Sequence, residues 1–162
     1  MGSEMCIRDR RYLKKARLQQ GDIVELYCSV IRAAIEYCSP TYHSMLSEGM
    51  SDRIEKLQMK SLKTIFGWDK SYSDLLDLAG IETLKRRREK LVDNFAIKSS
   101  RNPRFDSWFP KAMPTGHNTR LNLPFQEEHA RTKRYMNSPL FHMRRRLNQM
   151  SNENKMIDHN QF

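Results

Sequence analysis

The sequence predicts an all-α fold: a small helical bundle with a long irregular segment at about 103–135 and a short C-terminal helix. Three observations predict it. Apolar residues recur at helical spacing over several separate stretches. Each stretch opens near a side chain suited to cap a helix, at Asp22, Ser47 or Ser51, Ser71 and Thr83. The stretches close on helix breakers, at Pro40, Gly67 and Gly80. A chain of 162 residues is one domain-sized unit, with room for a core of several helices and little room for two independent domains.

In chain order, Tyr12, Leu13, Ala16 and Leu18, set among Lys14, Lys15 and Arg17, read as the tail of an amphipathic helix. The first strong helix follows Asp22. Ile23, Val24, Leu26, Tyr27, Val30, Ile31, Ala34, Ile35 and Cys38 surround most of its circumference, so it is expected to be central and buried. Pro40 should stop it, having no amide proton and pushing Ser39 out of the helical region. The next helix ends at Gly67, with Met50, Ile54, Leu57, Leu62 and Ile65 on its packing side and Arg53, Lys56, Lys60 and Lys63 roughly opposite. Ser71 to Gly80 is a short helix with Leu75, Leu76, Leu78 and Ala79. Thr83 caps a longer one with Leu84, Leu91, Val92 and Phe95 as core stripe. Prolines, aromatics and polar residues from Arg104 to Arg134 read as loop or extended chain, its start pinned by Trp108 and Phe109. Ser138 and Pro139 open a last short helix bearing Leu140, Met143 and Leu147. Residues 149–162 are expected to be a disordered tail. The expected organisation is thus a helical bundle at 11–102, a loop-rich extension at 103–148, and the tail.

Charge narrows the functional classes. The net charge is +10, with 30% charged and 38% hydrophobic residues and a mean hydropathy of -0.78. A polyanion is the expected partner, nucleic acid ahead of an anionic membrane surface. No run approaches the roughly 18 apolar residues of a membrane span, so the chain reads as soluble and intracellular. Cys28 and Cys38 are expected to be reduced, buried thiols.

Particular residues carry a resemblance. An apolar helix stops at Tyr37-Cys38-Ser39-Pro40, a link from Thr41 to Leu46 follows, and an amphipathic helix ends in Ile65-Phe66-Gly67-Trp68. Leu78-Ala79-Gly80-Ile81-Glu82-Thr83-Leu84 comes next, with Arg86-Arg87-Arg88-Glu89-Lys90-Leu91, then Asn102-Pro103-Arg104-Phe105, Trp108-Phe109-Pro110, Asn137-Ser138-Pro139-Leu140-Phe141 and Met143-Arg144-Arg145-Arg146-Leu147. Together they cover most of residues 11 to 148. This order resembles the region behind the polymerase core of a non-LTR retrotransposon reverse transcriptase of the jockey or long-interspersed-element type. Gly2 to Arg10 looks instead like the translated end of a sequencing-library adapter. Residues 1–10 are therefore expected to be an artefact, with the natural chain extending upstream.

The resemblance implies a polymerase core that holds two metal ions on adjacent aspartates. No Asp-Asp pair occurs in this chain. The expectation is a fragment with no catalytic centre and no cofactor, whose partner is the missing upstream polymerase core. Cys28, Cys38, His43, His117, His129 and His142 are metal-ligand types, but no C-x-x-C pair exists and no two histidines stand three to five residues apart, so no metal site is expected. Tyr42-His43 resembles a family signature whose role is to fix the turn.

The resemblance further implies that the helices after the core hold template-primer duplex, an RNA–DNA hybrid or other duplex gripped without sequence preference. Candidate binding residues are Arg53, Lys56, Lys60 and Lys63, then Arg86, Arg87 and Lys90, then Arg144, Arg145 and Arg146. Phosphate contacts would give salt dependence and read no base edge. A solvated helix face is the plainer alternative for each stripe, and Arg145 and Arg146 have a second one in stabilising a helix C-terminus. Arg88 falls inside the core stripe and is expected to snorkel or to pair across to another element. Tyr72, Phe105, Trp108, Phe109 and Tyr135 interleave with the charges; stacking on an unpaired base is conceivable, with packing the expected role of Trp108. Two rivals remain at this stage: a helical protein-interaction module whose basic face meets an acidic partner, and a translated remnant of a decayed element without selected function.

Overall fold

The computed structural model of the chain describes residues 19–112, 123–126 and 129–159. The adapter-like residues 1–10, the helix tail expected at 12–18, and residues 113–122, 127–128 and 160–162 lie outside them. Among the described residues every regular element is helical, and the single β interaction is an isolated bridge between Lys111 and Phe125. The all-α expectation holds. The chain divides into two compact units, one of residues up to Tyr37 plus Ser47–Arg87, the other of Cys38–Leu46 plus residues from Arg88 on. This division does not follow the boundary read after residue 102. Phe109 shares a core with Val92 and Ala96, which joins the chain beyond 102 to the helix before it.

The first unit opens with α1 (Gln20–Leu26), continues through a π-helical stretch at Tyr27–Arg32 and ends in α2 (Ala33–Glu36). Asp22 is not the N-cap: it lies inside the first turn and its carboxylate accepts the Gln19 N–H at 3.3 Å. Nor is this helix buried all round. Ile23 and Tyr27 are buried with Ile65, and Val24, Cys28 and Ile31 pack against them, whereas Leu26 and Val30 are exposed.

α4 (Glu48–Phe66) begins at Ser47, whose Oγ accepts the Met50 N–H at 3.3 Å, and ends at Gly67 with φ 116°. Its buried row is Gln58, Ser61, Leu62 and Ile65, a regular helical face. Met50 and Leu57, expected in the core, are 54% and 52% exposed. Gln58 is buried on that face because it has hydrogen-bond partners on other elements, whereas Ser61 Oγ donates to the Leu57 carbonyl of its own helix at 2.9 Å. α5 (Tyr72–Ala79) is capped by Ser71 and closed by Gly80 at φ 62°, as its sequence predicts.

α6 (Leu84–Ser100) contributes its first residues to the first unit and the rest to the second. Its buried positions are Leu84, Arg88, Val92, Ala96 and Ser99, while Phe95 is exposed and Leu91 half-buried. Arg88 is fully buried and does not snorkel.

The second unit begins where the chain breaks at Tyr37–Cys38, Cys38 taking the left-handed φ of 54°. Pro40 does not end a helix; it lies in the first turn of the next, α3 (Ser39–Tyr42), where its missing amide proton costs nothing. A 3-10 turn at His43–Met45 follows, and Ser44 Oγ donates to the Asn137 carbonyl at 2.8 Å. Cys38 is exposed, against the expectation of a buried thiol.

The core of this unit is Val92, Ala96, Phe109, Met143 and Leu147, with Ile97, Phe105 and Phe125 against it. Phe109 pins the irregular segment as expected, while Trp108 sits on Phe105, ring centroids 4.6 Å apart, and is 37% exposed. That segment also contains a 3-10 helix at Pro103–Trp108 and α7 (Lys133–Met136). The last helix, α8, spans Pro139–His159, so it is not short and 149–159 is not a disordered tail. No glycine or proline follows Pro139 to stop it. Asn148 accepts the Phe125 N–H at 3.0 Å and donates to the Phe125 carbonyl at 3.1 Å, anchoring the helix where its apolar stripe ends.

Candidate nucleic-acid interface

The basic face of α4 is placed by the polar residues on its other side. Gln58, fully buried, accepts the Tyr27 hydroxyl at 3.1 Å and donates to the Tyr72 hydroxyl at 3.1 Å and the Glu82 carbonyl at 2.9 Å. Tyr72 in turn donates to Glu55. The Glu55 carboxylate also accepts the N–H groups of Leu84 at 3.1 Å and Lys85 at 3.2 Å, which are among the first amides of α6 and have no partner within their own helix. Burial pushes the Tyr27 and Tyr72 hydroxyls well above their ordinary range, and Glu55 raises Tyr72 further. Both stay protonated and keep donating. Each link spans well over ten residues of sequence, so α4 is held by tertiary contacts rather than by its own propensity.

With that face fixed, Arg53, Lys56 and Lys60 stand exposed on the opposite side. Lys63 is half-buried, its Nζ 6.0 Å from the centre of the Trp68 ring. Met50 and Leu57 border the row as exposed apolar side chains. From Arg53 to Lys63 the row is about 15 Å long at 1.5 Å per residue.

The other sequence candidates divide. Arg86 and Lys90 are exposed. Arg87 Nε donates to both Glu36 oxygens, at 3.2 Å and 3.3 Å, and Arg32 approaches the same carboxylate at 3.7 Å. In the second unit, Arg144 Nε donates to the Trp108 carbonyl at 2.6 Å. Arg146 forms a two-pronged pair with Asp93, at 3.0 Å and 2.7 Å. Of that arginine run only Arg145 is exposed. Lys90 and Arg144–Arg146 belong to the second unit and the remaining candidates to the first.

His43 and His142 stand 6.0 Å apart by ring centroids. Burial lowers the pKa of both, with Arg88 and His142 acting in the same direction on His43, and Arg146 and Arg145 on His142. Among the described residues no three His, Cys, Asp or Glu side chains are grouped to hold a metal ion. No described helix is long and apolar enough to cross a membrane.

Sequence reasoning missed Glu55 and Gln58 altogether. Both read as surface residues by type, and only their position on the α4 face with Leu62 and Ile65 could have marked Gln58. No protein-family model, no curated protein and no solved structure matches the chain.

Proposed function

We propose that the chain is the thumb-side region of a non-LTR reverse transcriptase and grips the backbone of template-primer duplex through the cationic row on α4, with no chemistry of its own. One observation carries the reading: Arg53, Lys56 and Lys60 are exposed together on one side of a helix whose opposite side is fixed by hydrogen bonds to other elements. A row about 15 Å long covers the rise of roughly four base pairs along a duplex axis, at about 3.4 Å each. Such contacts read charge and spacing rather than bases. Arg87, Arg144 and Arg146 rank lower as binders, since their guanidinium groups already face a carboxylate or a carbonyl. A second reading, a docking face for an acidic amphipathic partner, draws support from exposed Met50 and Leu57 beside the cations.

Changing Arg53, Lys56, Lys60 and Lys63 together to Gln should weaken binding to RNA–DNA hybrids of any sequence by a similar factor. The salt slope should flatten by about 0.7 to 0.9 per lost contact. Fluorescence anisotropy across a salt series measures both, with circular dichroism confirming the fold. Unchanged affinity in a folded quadruple variant would return the row to solvated surface; competition by an acidic polypeptide but not by hybrid would favour the second reading.

A further inference from the structure

At the end of the cationic row stands a largely exposed aromatic side chain. Trp68 is 66% exposed, although burying an indole is among the larger gains open to a single side chain. Its place is set by the turn before it. The Gly67 N–H closes α4 on the Lys63 carbonyl at 2.9 Å, and the φ of 116° at Gly67 is one that residues with a side chain rarely adopt, so the turn favours glycine. Lys63 Nζ lies 6.0 Å from the indole centroid, which makes the last cation of the row also the neighbour of the ring. The remaining charges beside Trp68 in sequence, Asp69 and Lys70, pair with each other at 3.5 Å.

Phosphates and an indole face recognise different parts of a nucleic acid. Cations track the backbone; an aromatic plane takes a base, and only a base outside the duplex stack has a face to offer. A ligand that satisfies both features is a duplex on α4 whose strand continues, unpaired, past Gly67. We infer that Trp68 stacks on the first unpaired base beyond a duplex held by the α4 row, so that the chain prefers a hybrid with a single-stranded extension over a blunt one. This rests on the duplex-grip reading and specifies its ligand.

The test compares a blunt RNA–DNA hybrid with the same hybrid carrying a single-stranded extension, by anisotropy, for the unaltered chain, Trp68→Ala, Trp68→Phe and the triple variant Arg53→Gln, Lys56→Gln, Lys60→Gln. The unaltered chain should favour the extended hybrid. Trp68→Ala should lose about 5-fold or more in affinity for it, leaving blunt binding unchanged, and Trp68→Phe should keep most of the preference. In a Trp108→Phe background, where Trp68 is the sole tryptophan, its emission should change on adding extended but not blunt hybrid. No preference in the unaltered chain, or equal loss for both ligands in a folded Trp68→Ala, overturns the stacking site. If the triple variant still weakens both ligands, the grip survives that result. Absence of binding to either hybrid by the unaltered chain overturns both readings.

Discussion

Helix α4 of the first unit and the arginine run of α8 in the second dispose of their positive charge in opposite ways. On α4 the Glu55 carboxylate faces inward to Tyr72 and the first amides of α6, and Arg53, Lys56 and Lys60 stand exposed on the other side with Asp52 among them. In the second unit the carboxylate of Asp93 meets Arg146, and Arg144 is held by the Trp108 carbonyl, so a denser run of arginine leaves only Arg145 exposed. Where the acids point decides which cations can meet a polyanion. The density of Lys and Arg along the chain does not.

The contrast is broken most sharply at the polar residues that fix each unit. Gln58→Ala removes three hydrogen bonds, one buried and two part-buried, and leaves the buried Tyr27 hydroxyl without its acceptor, and should cost about 3 kcal/mol. Asn148→Ala loses two bonds to one residue's backbone and should cost about 2 kcal/mol. Urea unfolding measures both; a larger loss at Asn148 would reverse the order in which the units depend on buried polar groups.

A smaller effect sharpens the comparison of the arginines. Arg146→Gln should cost about 1 kcal/mol, since its pair with Asp93 is two-pronged but partly exposed. Arg145→Gln should stay within about 0.5 kcal/mol. Equal costs would mean that the Asp93 pair contributes nothing to folding.

The smallest expected effect is a pH dependence belonging to the second unit. The folded pKa values of His43 and His142 lie below the ordinary 6.5, chiefly through burial, with Glu89 and Asp93 opposing the nearby arginines. The unfolded chain therefore takes up protons before the folded one does. Stability is complete above pH 6.5 and declines as pH falls through the folded values. Urea midpoints at neutral and mildly acid pH should differ, and His43→Gln with His142→Gln should shrink that difference.

Much of this architecture was legible in local signals. Ser47, Ser71, Gly67, Gly80 and Thr83 mark helix ends within a few residues, and the structure uses each of them. What depended on distant partners was not. Val30, Met50, Leu57 and Phe95 look like core by type and spacing but are exposed, while Gln58 and Arg88 are fully buried. Periodicity finds a face; which rotation of it is buried depends on what the rest of the chain brings there. The candidate site was half legible, because a row of cations is visible in sequence and the carboxylates that tie up Arg87 and Arg146 lie more than fifty residues away.

The carboxylate of Glu55 also bears on how the chain becomes ordered. The first turn of a helix is its costliest to form, because several residues are fixed before the first internal bond. In α6 the amides of Leu84 and Lys85 are met from outside by a side chain on α4, so part of that nucleation cost is offset by a helix lying earlier in the chain. Amides at a helix start ordinarily fray and exchange freely with solvent. Here their protection is a property of α4, and they open when α4 leaves rather than when the end of α6 unwinds.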